Sequence, residues 1–150
     1  MNAAPQDFSA LQYVGFWLRA WASVIDTVLL ILVIAPLLWA AYGADYFVAT
    51  DVIFHGPLDF LLSWVFPVVA IILFWVYRSA TPGKMVIGAR IVDARTGGKP
   101  STGQLVGRYF GYLVSTIPLC LGLIWVGIDS RKQGWHDKLA GTVVVRTRKG

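Results

Sequence analysis

The sequence predicts an all-α membrane protein with two membrane-spanning helices, a third apolar block that is broken, and a small antiparallel β pairing. Of the 150 residues, 57% are hydrophobic and 14% are charged, whereas globular chains are about 25% charged. Three apolar blocks, at about 16–42, 59–77 and 104–128, account for most of the length. The basic residues lie mainly between and after these blocks, where they determine membrane orientation. We therefore expect a single membrane domain over 1–150.

The first apolar block, at 16–42, predicts a membrane-spanning helix that contains two charged residues, Arg19 and Asp26. No Lys or Arg precedes Arg19, so the basic region of a cleavable signal peptide is missing and the helix is expected to remain as a signal anchor. Asp26 lies nine residues after Trp17, which predicts a position toward the middle of the bilayer. A carboxylate there costs about 2.5–3.5 kcal/mol on insertion scales, so it usually has a function or a partner.

The second block follows a loop, at 43–59, that contains aspartates but no Lys or Arg. The positive-inside rule predicts that this loop is external. Residues 60–77 are uncharged and predict the second span. The next segment, 78–103, carries five basic residues and is expected in the cytosol together with the N-terminus.

The third block, 104–128, contains Arg108 near its start and Pro118 at its centre. A straight span would carry the basic tail outside, whereas the charge rule places both flanks inside. A helix broken at Pro118, forming a re-entrant or shallow hairpin, resolves this conflict, and we favour it over the straight span. It also brings the strand-like runs at 90–94 and 142–147 to one side, where they are predicted to pair as a cytosolic antiparallel cap.

Three motifs together resemble the RDD family of small membrane proteins, which is named for one Arg and two Asp. They are Arg19 with Asp26, TPGKMVIGARIVDARTGGKPST at 81–102, and GWHDKLAGTVVV at 134–145. The resemblance implies that Arg19 and Asp26 are the Arg and the first Asp. It implies Asp137 as the second Asp, with Asp129 as the weaker candidate. It also implies a membrane location, while it leaves the activity unassigned and suggests transport.

Asp26 must be protonated, paired or solvated in a bilayer. Arg108 is the best partner from another helix, and Arg19 is the alternative. A buried Asp26–Arg108 or Asp26–Arg19 pair would fix helix packing. Alternatively, Asp26 binds a proton or cation, or it forms an assembly contact with another chain. Asp137 is expected to cap or anchor the segment 138–141, with a gate or ion relay as the alternative.

The glycines Gly103, Gly107 and Gly111 are spaced by four residues. This pattern predicts close packing of the third block against another helix, with a dimer seam as the alternative. Cys120 is the single cysteine, so no intrachain disulfide can form. No cluster of metal-ligand residues is apparent in the sequence, and neither a metal nor a cofactor is expected.

Two functions are expected from these features. The first is a small cation- or proton-coupled transporter built around Asp26, with Arg19 and Arg108 tuning it. The second is a non-transporting membrane module that assembles with another membrane protein or with lipid. No nucleophile motif accompanies the adjacent His136 and Asp137, so an enzyme is not expected. The expected partners are the lipid bilayer, a homo-oligomer or another membrane protein, and a monovalent cation or proton. The expected location is the bacterial inner membrane, and the dispersed basic residues do not indicate nucleic-acid binding.

Overall fold

A computed structural model of the chain describes residues 10–48 and 53–148. Most of the described chain is helical, with three short strands. The elements in chain order are β1 (Leu11–Tyr13), α1 (Phe16–Tyr42), α2 (Pro57–Arg78), α3 (Pro82–Val86), β2 (Ala89–Asp93), α4 (Thr102–Thr116), α5 (Leu121–Ile128), α6 (Trp135–Ala140) and β3 (Thr142–Thr147). A short 3₁₀ turn, Ala44–Phe47, follows α1.

The two long helices, α1 and α2, are each apolar and long enough to cross a membrane, with mean hydropathy values of 2.4 and 2.3. The bounds of α1 agree with the predicted first block, and α2 extends slightly beyond the predicted second block at both ends. Within α2, a π turn at Leu61–Val65 precedes Pro67, which has no N–H to donate to the helix. Only 6% of the most apolar window of each helix is buried within the chain. Their apolar faces are therefore available to lipid or to another chain.

The third apolar block forms two helices, α4 and α5, which meet at an angle of 101°. Pro118 lies in the break, and the two residues after it, Leu119 and Cys120, have positive φ angles of 52° and 61°. The predicted break at Pro118 is therefore confirmed. The bend is close to a right angle, however, so the chain does not reverse its direction as fully as in the predicted hairpin. The pair is apolar enough to form one broken span or a re-entrant segment.

The three strands form one antiparallel sheet in the order β1-β3-β2. The predicted pairing of β2 with β3 is confirmed, and Ile91 lies opposite Val144 in its register. β1 is a third strand that the sequence pattern did not predict. The sheet joins the segment before α1, the segment after α2 and the tail at one end of the molecule. Its residues Ile91 and Val144 share a buried core with Val14, Trp75 and Leu105.

Candidate functional site: a buried charge cluster beside a polar cavity

Three of the four predicted charged site residues form a buried group, here named the charge cluster: Arg19, Arg108 and Asp137. Arg19 Nη1 lies 2.5 Å from Asp137 Oδ2, and Arg108 Nη1 pairs with Asp137 Oδ1. The backbone N–H of Gly134 donates to Asp137 Oδ2 at 3.0 Å. Burial alone would raise the pKa of Asp137, but the charges of Arg108 and Arg19 lower it well below its usual range. Asp137 is therefore a carboxylate with fixed positive partners.

Other donors of the two arginines connect the charge cluster to the backbone and the sheet. Arg19 Nε donates to the Val14 carbonyl at 3.0 Å, and its Nη2 donates to the Lys132 carbonyl at 2.5 Å. Arg108 Nη1 also donates to Thr142 Oγ1, at the start of β3, at 2.8 Å. The cluster thus ties α1, α4, α6 and the sheet together. In this cluster Asp137 anchors the start of α6 through the Gly134 N–H, whereas the sequence predicted that it would cap or anchor the segment 138–141.

His136 lies beside the charge cluster and is almost fully buried. Burial and then the charge of Arg108 lower the pKa of His136 to about 3, so the ring is neutral near pH 7. Its Nδ1 lies 3.4 Å from Ser115 Oγ, and its Nε2 lies 3.4 Å from Asp137 Oδ2. The Ser115 hydroxyl also accepts the backbone N–H of His136 at 3.0 Å. Because Ser115 is fully buried, this arrangement supports packing rather than nucleophilic chemistry.

Asp26 does not join the charge cluster. Within the described residues it forms no ion pair with Arg19 or Arg108, so both predicted pairings were wrong. Asp26 Oδ2 instead accepts the Thr81 hydroxyl at 2.5 Å, and Oδ1 accepts the backbone N–H of Gly83 at 2.7 Å. The physical reason is that α3 lies directly against α1 and presents these two donors, while both guanidinium groups bind the more deeply buried Asp137.

These hydrogen bonds also correct the predicted depth of Asp26. Thr81 follows shortly after the end of α2 at Arg78, so Asp26 is level with the end of the second long helix and not with its middle. From Thr27 to its end at Tyr42, α1 rises roughly 24 Å, against a bilayer hydrocarbon core of about 30 Å. Because this length is about 6 Å less than the core, Asp26 lies just inside the polar end of the apolar region and not at its middle.

Lys84 is a buried cation that the sequence reasoning did not select as a site residue. It is 5% exposed, and its Nζ lies 3.4 Å from Thr81 Oγ1. No carboxylate of the described residues lies within 4.0 Å of this nitrogen. Burial lowers the pKa of Lys84, and the charges of Arg108 and Arg19 add to this effect. The sequence indicated Lys84 as a site residue only through its place inside the motif that begins at Thr81.

Asp26, Thr81 and Lys84 line a cavity of about 210 Å³, here named the polar cavity, which lies between α1, α2, α3 and α4. The indole of Trp75 also lines it, and the buried Nε1 of this ring has no hydrogen-bond partner among the described residues. A second cavity, of about 230 Å³, lies between α1 and α2 and is lined by Asp26, Thr81 and otherwise apolar side chains. Asp26 is thus the one carboxylate that lines both cavities.

The predicted glycine contact is correct at one of its three positions. A Cβ at Gly111 would lie 2.9 Å from His136 Cα, so this glycine permits the close approach of α6 to α4. A Cβ at Gly107 would meet nothing within 4 Å, and one at Gly103 would come no closer than 4.0 Å to Ser101 Oγ. Gly103 and Gly107 therefore make no close contact with a helix of the described chain, because they are exposed on the outer face of α4.

Two closer approaches of a glycine to a helix backbone, at Gly83 and Gly122, were not predicted. A Cβ at Gly83 would lie 2.0 Å from the Ala22 carbonyl oxygen, and one at Gly122 would lie 2.7 Å from Ser115 Cα. Gly83 thus allows α3 to reach α1, and with it the hydrogen bond to Asp26.

The weaker candidate for the second family Asp, Asp129, lies outside the charge cluster. It pairs with the half-exposed Lys138 at 2.5 Å. At the opposite end of the long helices, the buried Asp59 accepts the Tyr46 hydroxyl at 2.6 Å and the Ser63 hydroxyl at 2.8 Å. No group of three or more His, Cys, Asp or Glu residues suited to a metal ion occurs in the part of the chain that the structure describes.

Two long apolar helices, tied together at one end by a sheet and a buried charge cluster, are the features of a small integral membrane protein. The sequence profile of the RDD family matches residues 13–141. The chain therefore belongs to the RDD family, and the resemblance seen in the sequence is confirmed.

Similar bacterial proteins agree with this class. The uncharacterized protein RP437 of Rickettsia prowazekii is 40% identical over 76 residues, which cover 51% of this chain and 42% of RP437. The chain thus spans less than half the length of that relative. The uncharacterized protein YxaI of Bacillus subtilis is 27% identical, with 87% of this chain and 95% of YxaI covered. YteJ of Bacillus subtilis, described as an uncharacterized membrane protein, is 27% identical, with 96% and 88% covered. No solved structure matches the chain significantly.

Proposed function

We propose that this protein is a small membrane transporter that moves a monovalent cation, a proton or both through a site at Asp26. The observation that carries the proposal is the polar cavity, which brings a partly exposed carboxylate and a buried ammonium group together without a direct ion pair. Ionisable residues inside a membrane span or at its edge commonly mark ion pathways. Asp137 is a poorer candidate, because both of its oxygens are held by guanidinium groups.

The proposed orientation places the sheet and the charge cluster in the cytosol, in a bacterial inner membrane. The segment 78–103 with its five basic residues lies at this end, whereas Asp45 and Asp59 lie at the other ends of α1 and α2. This distribution agrees with the positive-inside rule. The N-terminus would then also be cytosolic, because β1 belongs to the same sheet.

The transporting form is proposed to be an oligomer. Two long helices enclose little volume by themselves, and 6% of the most apolar window of each is buried within the chain. Symmetric self-association is the commonest way for a small chain to complete such a surface.

Flux measurements in proteoliposomes test the proposal. Wild-type protein and Asp26→Asn would be reconstituted at equal density and assayed with Na⁺, K⁺ and pH gradients over a pH series. We expect wild-type flux and a loss of at least about tenfold in Asp26→Asn, with insertion and circular dichroism unchanged. Asp45→Asn, in the exposed turn after α1, is the matched control and should transport normally. Absence of wild-type flux under every gradient would contradict transport.

The second candidate is a non-transporting module that assembles with another membrane protein or with lipid. The largely uncovered faces of α1 and α2 favour it. In that case, wild-type protein gives no flux, and Asp26→Asn is either tolerated or unstable. An enzymatic role is not proposed, because Ser115 and His136 are buried away from both described cavities.

A further inference from the structure

We infer that Asp26 and Lys84 form an exchange pair bridged by the Thr81 hydroxyl, in which a monovalent cation that binds at Asp26 and Thr81 expels a proton from Lys84. This inference rests on the proposed function and extends it from the binding site to the coupling of cation and proton. It assigns to Lys84 a role that neither the family motif nor the charge pattern assigns.

The bridge follows from the hydrogen bonds of Thr81. A threonine hydroxyl has one donor and two acceptor positions. Thr81 Oγ1 donates to Asp26 Oδ2 at 2.5 Å and accepts from Lys84 Nζ at 3.4 Å. The first bond is short, whereas the second is at the outer limit of a hydrogen bond. The hydroxyl therefore connects the carboxylate to an ammonium group that is only weakly held.

The same oxygens offer ligands for a cation. A carboxylate has about four acceptor positions, and Asp26 uses one for the Gly83 N–H and one for Thr81. Loss of one proton turns the Lys84 ammonium group into a neutral amine, which carries no charge and donates more weakly to Thr81 Oγ1, so a cation can bind to this oxygen in its place. Carboxylate and hydroxyl oxygens are hard ligands that suit hard cations. The hydroxyl-bearing side chains of Ser23 and Thr27 also line the polar cavity.

Charge balance explains why the cation and the proton must exchange. With Lys84 protonated, the charge cluster and the exchange pair together carry three positive groups, on Arg19, Arg108 and Lys84, and two negative groups, on Asp26 and Asp137. A further cation in this partly buried region is unfavourable unless a positive charge leaves. The two arginines cannot release protons under ordinary conditions.

The other ionisable groups around Lys84 leave it as the proton donor. From α1 it faces Asp26 and Arg19, from α4 it faces Arg108, Tyr112 and Tyr109, and from α6 it faces the neutral ring of His136, which has no proton to release as a cation. Burial lowers the pKa of Lys84, which makes its proton the more readily lost. In the exchange, the N–H bond of the Lys84 ammonium breaks, the proton leaves to water, and the cation takes its place. The net charge of the site is unchanged.

Proton release from purified protein tests this inference without any transport assay. Detergent-solubilised protein in weakly buffered solution with a pH indicator would receive NaCl or KCl, with choline chloride as the salt control. Wild-type protein should release about one proton per bound cation, by charge balance. The apparent cation affinity should rise with pH until Lys84 is deprotonated. Lys99→Met, on an exposed turn, is the matched lysine control and should behave as wild type.

Two variants of Lys84 separate its charge from its proton. Lys84→Met should bind the cation without releasing a proton, and its affinity should no longer vary with pH in that range. Lys84→Arg keeps a charge that cannot be lost and should lower cation affinity at least about tenfold. Circular dichroism and gel filtration would establish that each variant is folded. If one variant fails to fold, the other still decides the outcome.

The outcomes distinguish the inference from the proposed function. If Lys84→Met released as many protons as wild-type protein does, or if wild-type protein released none, the exchange pair would be overturned. Wild-type proton release together with zero flux in proteoliposomes would retain the exchange pair and end the transport proposal. Cation flux that stays fully proton-coupled in Lys84→Met would retain the transport proposal and end the exchange pair.

Discussion

Two motif aspartates at the polar end of the molecule, Asp137 and Asp26, have contrasting surroundings. Asp137 is fully buried, and each of its oxygens faces a guanidinium group. Asp26 is partly exposed, is bonded to a hydroxyl and a backbone N–H, and lines two cavities. The cation nearest to it through hydrogen bonds is Lys84, which is held through Thr81.

This comparison separates a structural carboxylate from one that can exchange its partner. Arginine remains charged at any ordinary pH, so the charge cluster cannot vary its own charge. Lysine shifts its pKa readily when it is buried, so the region around Asp26 can change its charge. Two motif aspartates at the same end of the fold therefore support different roles, and substitutions can test the difference.

The largest expected effect is that of Asp137→Asn. The substitution leaves Arg19 and Arg108 as buried charges without a carboxylate, which typically costs about 3–5 kcal/mol. We expect a corresponding loss in the free energy of unfolding, measured by tryptophan fluorescence in detergent. Asp129→Asn is the control, because its partner Lys138 is half exposed and such pairs contribute about 0–1 kcal/mol. Wild-type stability of Asp137→Asn would remove the structural half of the comparison.

A smaller effect is expected from the glycines of α4. In Gly111→Ala, the new Cβ would lie 2.9 Å from His136 Cα, so α6 must move, at a cost of about 1–3 kcal/mol. Gly107→Ala enters open space on the same helix and should be neutral or stabilising by about 0.5–1 kcal/mol. Thermal unfolding of both variants measures the difference. Equal destabilisation would mean that Gly107 faces a surface covered by another chain.

Much of the fold was predictable because it depends on local pattern. Long apolar runs specified α1 and α2, and Pro118 specified the break in the third block. β1 was missed because it has three residues, which is too short for a clear alternation. Its strand pairing comes from β3, which lies at the far end of the chain.

The partners of the charged residues were less predictable, because they depend on how the helices are offset. Arg19 and Asp26 are seven residues apart, or about 10 Å along α1. This separation places Arg19 beside α6 and Asp26 beside α3, so each meets a different partner. The burial of Lys84 could not be inferred either, since it depends on the approach of α3 that Gly83 permits.

The last expected effect depends on pH and concerns His136, whose neutral ring lies beside the charge cluster. Its pKa is lowered to about 3 in the folded protein, against about 6.5 in an unfolded chain. Above pH 6.5 the ring is neutral in both states and has no effect. As the pH falls from 6.5 toward 3, the unfolded state binds the additional proton, so stability falls by about 1.4 kcal/mol per pH unit.

The pH range from 6.5 to 4.5 isolates this contribution. Asp137 also has a lowered pKa, but its stabilisation is present above its unfolded pKa, near 4, and is lost as the pH falls further. His136→Gln, which does not titrate, should therefore show a shallower slope of unfolding free energy in this range than wild type. If the unfolding free energy of both proteins has the same slope, the ring takes up its proton in the folded state within this pH range. The charge cluster would then not be fixed, and its contrast with the region around Asp26 would disappear.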